Sequence, residues 1–184
     1  MKTYETPKQY IDLSSIKLSG RILDIGGGGE GVISRHSGHN VIAIDRRADE
    51  LAETPDIGTK IIMDACNLNF IDKYFDHITC FYTLMYMDLP EISQFLQEAY
   101  RVLKSGAKLW VWDIIIPTIK TADVFIAQLQ VKVSEEQTIT TGYGVTWRRE
   151  QSLDIIKDLC ENAGFIYHEG NENSESFSLC FQRQ

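Results

Sequence analysis

Five short hydrophobic runs in the first two thirds of the chain predict the strands of a parallel sheet. Their apolar character is nearly continuous rather than alternating, as expected of strands that are buried on both faces. The runs occupy residues 21–25, 41–45, 60–64, 77–81 and 108–116.

Amphipathic segments between and after these runs predict helices. The clearest begins at Pro90, with Asp88 close to its start as a cap, and runs to Lys104 with its apolar residues on one stripe. A second spans about 149–163. Strands and helices that alternate through right-handed crossovers predict a doubly wound, mostly parallel α/β sheet. We expect residues 1–184 to form a single domain.

Residues 122–147 break this alternation. Every second residue is apolar in 125–133. The same period resumes in 138–147, where Ile139, Tyr143, Val145 and Trp147 share one face with Thr141, and this is the period of a half-buried strand. The pattern predicts a β-hairpin inserted after the fifth strand, with one apolar face that must be covered. Because helices are expected to cover both faces of the parent sheet, we expect this hairpin to be a lid over a ligand or part of a homodimer. The segment 1–20 is expected to form a cap with one small helix.

Composition and charge narrow the class of function. The chain has 184 residues, of which 43% are hydrophobic, and its 18 basic against 26 acidic residues give a net charge of −8. This charge argues against nucleic acid as a partner, since such binding relies on Lys and Arg. No signal peptide, membrane span or CxxC pair is present, and the four histidines lack metal-ligand spacing. We therefore expect a cytoplasmic protein with reduced thiols and no catalytic metal.

A glycine-rich turn comes directly after the first predicted strand. Gly26, Gly28 and Gly31 match the spacing of a dinucleotide fingerprint, although such a run can also be only a tight turn. The second strand ends in Asp45, nineteen residues after Gly26. A carboxylate at this place can accept hydrogen bonds from both hydroxyl groups of a ribose, so the two signals together favour a nucleoside-containing ligand.

At this point the sequence resembles the class I S-adenosylmethionine-dependent methyltransferases, from about Arg21 to the C-terminus. The resemblance rests on six segments in the family's order, and it implies a Rossmann-like fold with S-adenosylmethionine as cofactor. The segments are ILDIGGG at 22–28, VIAID at 41–45, MDACNLNF at 63–70, YFDHITCFY at 74–82, YRVLKSGAKL at 100–109 and NAGF at 162–165.

The resemblance also implies a set of cofactor-binding residues at the strand ends. Asp24 would bond the methionine ammonium group directly or through water, Asp45 the ribose, and Asp64 with the Ala65 amide the adenine. Gly26, Gly28 and Phe81 complete the predicted set. Each Asp could instead serve only as a turn or capping residue. The third glycine of the family's loop would fall at residue 30, which is Glu30, so the loop is expected to be slightly remodelled there.

The acceptor of the methyl group has no sequence signature. Candidate contacts are Tyr82, Tyr86, Asp113 and Tyr143, and for the aromatic residues core packing is the competing interpretation. No catalytic residue is assigned. A small-molecule acceptor is preferred, followed by a protein side chain. Two other classes remain open: a non-catalytic S-adenosylmethionine-binding or interaction protein, and a nicotinamide-dependent oxidoreductase.

Overall fold

The computed structural model describes all 184 residues as eleven strands and four helices, with two short 3₁₀ turns at Gly38–Asn40 and Leu84–Tyr86. In chain order, the elements are β1 (Thr3–Glu5), β2 (Gln9–Asp12), β3 (Ile22–Ile25), α1 (Val32–Ser37), β4 (Val41–Asp45), α2 (Ala48–Glu53), β5 (Thr59–Ile62), β6 (Phe75–Phe81), α3 (Leu89–Val102), β7 (Leu103–Ile114), β8 (Val124–Lys132), β9 (Thr138–Thr146), α4 (Leu153–Asn162), β10 (Phe165–Glu172) and β11 (Ser176–Arg183).

Seven of these strands form the main sheet, in the order β10-β11-β7-β6-β3-β4-β5. Five neighbouring strands of this sheet, β7, β6, β3, β4 and β5, run parallel to one another. Strand β11 runs antiparallel to both of its neighbours, β7 and β10. The predicted α/β class with a mostly parallel sheet is therefore confirmed. The loops after β3, β4, β5 and β6 leave the sheet at one edge, where ligands of such sheets bind.

Helices α3 and α4 cover one face of the main sheet. Asp88 caps α3, because its side chain accepts a hydrogen bond from the Glu91 amide (2.8 Å) while the Glu91 carboxylate accepts one from the Asp88 amide (2.8 Å). Helix α4 begins at Leu153, later than predicted, because Ser152 caps it through the Ile155 amide. Arg149, placed at the predicted start of this helix, instead donates to the carbonyls of Leu84 and Met87.

Strands β8 and β9 form an antiparallel hairpin in the segment where the alternating pattern predicts one. The other edge of β8 pairs in parallel with β1 and β2, which lie end to end along it. The N-terminal segment thus contributes two strands, and the small helix expected there is absent. β1 and β2 satisfy the backbone donors and acceptors along this edge of β8, and the Thr6 hydroxyl between them accepts a hydrogen bond from the Gln128 amide (3.0 Å).

This second sheet packs its apolar face on the main sheet of the same chain. The hairpin residues Phe125, Ala127, Leu129, Val131 and Val133 are at most 2% exposed, and they belong to one core cluster with Ile22, Ile33, Trp112 and Ile114. The expectation that helices cover both faces of the parent sheet is wrong, because the hairpin itself covers part of one face. The uncovered apolar surface that suggested a homodimer through residues 122–147 does not exist. No helix is long and apolar enough to span a membrane.

Candidate functional site

A cavity of about 710 Å³ opens at the edge of the main sheet where β3, β4, β5 and β6 end. Its base is formed by the glycine loop and by the residues after β4 and β5. Its opposite wall is formed by the end of β9, residues 142–146. The hairpin therefore lines the cavity as the lid interpretation expected, whereas no residue of 1–20 lines it.

The glycine loop is held in place by backbone hydrogen bonds to neighbouring elements. The Gly27 amide donates to the Ile44 carbonyl (3.0 Å) and the Gly29 amide to the Glu50 carbonyl (2.9 Å). A Cβ atom on Gly28 would lie 2.5 Å from the Glu50 Cβ atom and 2.9 Å from Asp45 Oδ2. Gly31 adopts φ 58° at the start of α1, so the shifted glycine serves the turn into the helix.

Asp45 and Asp64 both line the cavity, each at the end of its strand or in the turn beyond it. One oxygen of each carboxylate closes the local turn: Asp45 accepts from the Arg47 amide (2.8 Å) and Asp64 from the Cys66 amide (2.9 Å). Each carboxylate keeps further lone pairs for a ligand. Gly26, Gly28, Ala65 and Phe81 also line the cavity, so the structure brings six of the seven predicted cofactor residues together.

The seventh, Asp24, does not line the cavity, contrary to the sequence-based expectation. Its carboxyl group is 2% exposed, lies beneath Gly27 and accepts a hydrogen bond from the Thr79 hydroxyl (2.7 Å). Burial, opposed by the Thr79 bond and reinforced by the nearby Asp45 charge, raises the pKa of Asp24 to about 7. Asp24 lies inside β3 rather than after it, and its side chain supports the loop from below.

Asp113, a predicted acceptor contact, is likewise not at the cavity. It is fully buried and accepts hydrogen bonds from the amides of Ile114 (2.8 Å) and Met85 (3.2 Å). Burial raises its pKa to about 7. The side chain braces the 3₁₀ turn after β6, which is a structural role.

The three predicted tyrosines converge on the cavity. The Tyr82 ring stacks on Tyr143 with centroids 5.7 Å apart, and Phe81 meets Tyr143 edge to face at 6.4 Å. Tyr82 adopts φ 50° and is 1% exposed, and its buried hydroxyl has no hydrogen-bond partner. Tyr86 is 40% exposed at the rim. Aromatic surface from both sheets thus encloses one side of the cavity.

Glu30 is a cavity residue to which the sequence analysis assigned no role. Its carboxylate accepts hydrogen bonds from the Thr141 hydroxyl (2.5 Å) and the Tyr143 hydroxyl (3.2 Å), both on β9. These contacts join the glycine loop to the hairpin. Burial and the Glu30 charge raise the pKa of the Tyr143 phenol, which therefore stays protonated as a donor. The departure from glycine at this position was the only sequence signal.

Carboxylates outnumber cationic side chains around the cavity. Arg46 pairs with Glu91 (3.1 Å) and Arg47 with Glu50 (2.9 Å). The lining contains six carboxylates, Glu30, Asp45, Glu50, Glu53, Asp64 and Glu91, against three arginines, Arg46, Arg47 and Arg148. This excess of negative charge favours a ligand with a cationic centre.

Comparison with known proteins finds a family match within the first two thirds of the chain. Residues 23–111 match a family model described as a methyltransferase domain. A search of curated protein sequences found no match.

Solved structures share the fold over most of the chain. An S-adenosylmethionine-dependent methyltransferase from Methanosarcina mazei has a TM-score of 0.63 at 21% identity, covering 90% of this chain and 94% of its own. Another such methyltransferase, from Mesorhizobium loti, has a TM-score of 0.64 at 14% identity, covering 89% of this chain and 90% of its own. A phosphoethanolamine N-methyltransferase from Haemonchus contortus, in complex with S-adenosyl-L-methionine, has a TM-score of 0.62 at 16% identity. The alignment covers 91% of this chain and 49% of its own.

Proposed function

We propose that this chain is a class I S-adenosylmethionine-dependent methyltransferase and that it methylates a small molecule bound against the tyrosines of the cavity. The match of residues 23–111 to a methyltransferase-domain family model supports the proposal. The observation that carries the proposal is the cavity itself. It joins the glycine loop, Asp45 and Asp64 on one side to Tyr82, Tyr86 and Tyr143 on the other.

The order of the strands supports an orientation for the cofactor. Asp64 lies beyond β5, Asp45 ends β4, and the glycine loop comes after β3, so these groups succeed one another along the sheet edge. We assign the adenine amino group to Asp64 with the Ala65 amide, and the ribose hydroxyl groups to Asp45. The methionine tail then lies over Gly26 and Gly28, and Phe81, at the end of β6, is on this same side of the cavity.

The cofactor, when bound, supplies a methyl group already activated by the sulfonium charge. The chain's own residues therefore have to hold and align the acceptor and exclude water. Tyr143 and the end of β9 form the wall opposite the glycine loop, and Tyr143 is supported by stacking on the buried ring of Tyr82. An acceptor that carries a proton on its nucleophilic atom must also lose that proton.

A small acceptor is favoured over a macromolecule by the shape and charge around the cavity. The hairpin segment 142–146 crosses the side opposite the glycine loop, which restricts the space for a bulky partner. The net charge of −8 disfavours nucleic acid.

Calorimetry with S-adenosylhomocysteine tests the cofactor site. Asp45→Ala should weaken binding by about 1–3 kcal/mol, the scale of a lost charge-assisted hydrogen bond. Asp49→Ala is the matched control, since Asp49 lies on the neighbouring helix α2 but does not line the cavity. No binding by the wild-type chain, or equal affinity in the two variants, would contradict the assignment.

A metabolite screen tests the catalytic part of the proposal. Small molecules are incubated with S-adenosylmethionine and the chain, and S-adenosylhomocysteine is quantified. Acceptor-dependent product that is lost in Asp45→Ala supports methyl transfer to a small molecule. Tight cofactor binding, with product formed only when proteins are offered as acceptors, would move the acceptor class to a protein side chain.

A further inference from the structure

We propose that the Glu30 carboxylate binds the ammonium group of the cofactor's methionine tail, held in position by the Thr141 and Tyr143 hydroxyls. The inference rests on the proposed cofactor site and adds a specificity-determining residue to it. It assigns to Glu30 the contact that was expected of Asp24.

The position of Glu30 along the sheet edge fits the tail and not the nucleoside. Glu30 belongs to the loop after β3, two strands away from Asp64. Its carboxylate contacts Tyr143, whose ring packs on Phe81 and Tyr82 at the end of β6. A ligand that places its adenine at β5 and its ribose at β4 reaches this end of the cavity with its amino-acid part.

The charge of Glu30 lacks an ionic partner, unlike that of two neighbouring carboxylates. Glu50 is paired with Arg47 (2.9 Å) and Glu91 with Arg46 (3.1 Å). No cationic side chain lies within 4 Å of the Glu30 carboxylate, which is bonded only by neutral hydroxyls, and the neighbouring Arg35 donates instead to the Glu30 backbone carbonyl (2.7 Å). A partly buried carboxylate in this state gains most from a cation that brings N–H donors.

The two hydroxyls orient the carboxylate without using up its capacity. Thr141 donates to Oε1 and Tyr143 to Oε2, and each oxygen retains a further lone pair. Both donors sit on β9, so the hairpin fixes the rotamer of a residue in the glycine loop. Thr141 and Tyr143 are positioning residues for Glu30 in this arrangement.

A ligand that lacks a single group tests the contact. Calorimetry compares S-adenosylhomocysteine with its deaminated analogue, 5′-(3-carboxypropyl)thioadenosine, which keeps the adenosine, the sulfur and the carboxylate. Glu30→Gln should weaken S-adenosylhomocysteine binding roughly 10-fold to 100-fold and change the affinity for the deaminated analogue less than about twofold. Tyr143→Phe should also weaken S-adenosylhomocysteine binding, but by less than Glu30→Gln does. Glu161→Gln removes an exposed carboxylate on α4 and is the charge-matched control.

Each outcome decides the proposal. Equal losses for both ligands, or no loss in Glu30→Gln, would overturn it and leave the cofactor site intact. If Glu30→Gln fails to fold, calorimetry of the two ligands with the wild-type chain still tests the proposal. Equal affinity for the two ligands contradicts an ammonium contact at Glu30. Absence of S-adenosylhomocysteine binding by the wild-type chain is a different result, which contradicts the proposed function itself.

Discussion

The buried carboxyl group of Asp24 makes the stability of the ligand-free chain depend on pH. The carboxyl has a pKa near 3.8 when exposed and about 7 in the folded chain. As pH rises from about 4 to 7, the unfolded chain has lost this proton while the folded chain keeps it. The folded state then binds more protons, so this group lowers the free energy of unfolding by up to about 1.4 kcal/mol per pH unit.

Asp24→Asn should abolish this contribution, because an amide mimics the neutral carboxyl and its oxygen can still accept from Thr79. We expect the variant to be more stable than wild type at pH 8 and to lose that advantage at pH 4.5. Urea denaturation at both pH values measures the difference, and other acidic groups cancel in the comparison. A variant destabilised equally at both pH values would show that Asp24 is ionised when buried.

Gly28 is constrained by the protein as well as by the space for a ligand. A Cβ atom there would approach the Glu50 Cβ atom to 2.5 Å and the Glu50 backbone carbon to 3.2 Å, so α2 would have to move. Gly28→Ala should cost about 1–3 kcal/mol of stability and weaken cofactor binding. Gly144→Ala is the control for stability, since its nearest contact would be 3.7 Å away. Thermal melts of both variants check the difference.

At the scale of single residues, the sequence predicts side chains at strand ends better than contacts across the cavity. Asp45 and Asp64 lie at the cavity because the ends of consecutive parallel strands meet at one edge, and their contact with the cofactor stays a prediction. Asp24 was misplaced because the sequence does not reveal that this carboxyl lies beneath the loop at Gly27. The role of Glu30 was invisible because its partners Thr141 and Tyr143 are more than one hundred residues away in the chain.

At the scale of elements, period-two patterning identified the hairpin and its apolar face but not what covers that face. Leu129 shows the consequence, since it is fully buried in the core shared by the two sheets. Leu129→Asp should therefore destabilise the fold by more than about 3 kcal/mol. Gln130→Asp changes the next residue on the opposite face of β8 and should cost about 0.5 kcal/mol or less. A folded Leu129→Asp chain that differs only in oligomeric state would contradict this packing.

The two N-terminal strands, β1 and β2, could not be predicted from the local sequence. β1 and β2 have three and four residues, and they are ordered by pairing with β8, more than one hundred residues away. Helix α3, in contrast, carries its own cap and apolar stripe, and its bounds were predicted within two residues. Elements specified by local chemistry were predictable, whereas those specified by a distant edge were not.

At the scale of the whole molecule, two sheets from distant parts of the chain enclose one cavity, so a ligand should stabilise both together. S-adenosylhomocysteine at about 100 times its dissociation constant should raise the free energy of unfolding by about 2.7 kcal/mol. Hydrogen exchange should slow in the glycine loop, 26–31, and also in 141–146 of β9, because both segments line the cavity or hold its lining residues. Amides at the β10–β11 connection do not line the cavity and serve as the internal control for local protection. Protection confined to the main sheet would show that the hairpin is a scaffold outside the ligand site, and it would remove the hairpin wall from the proposed acceptor pocket.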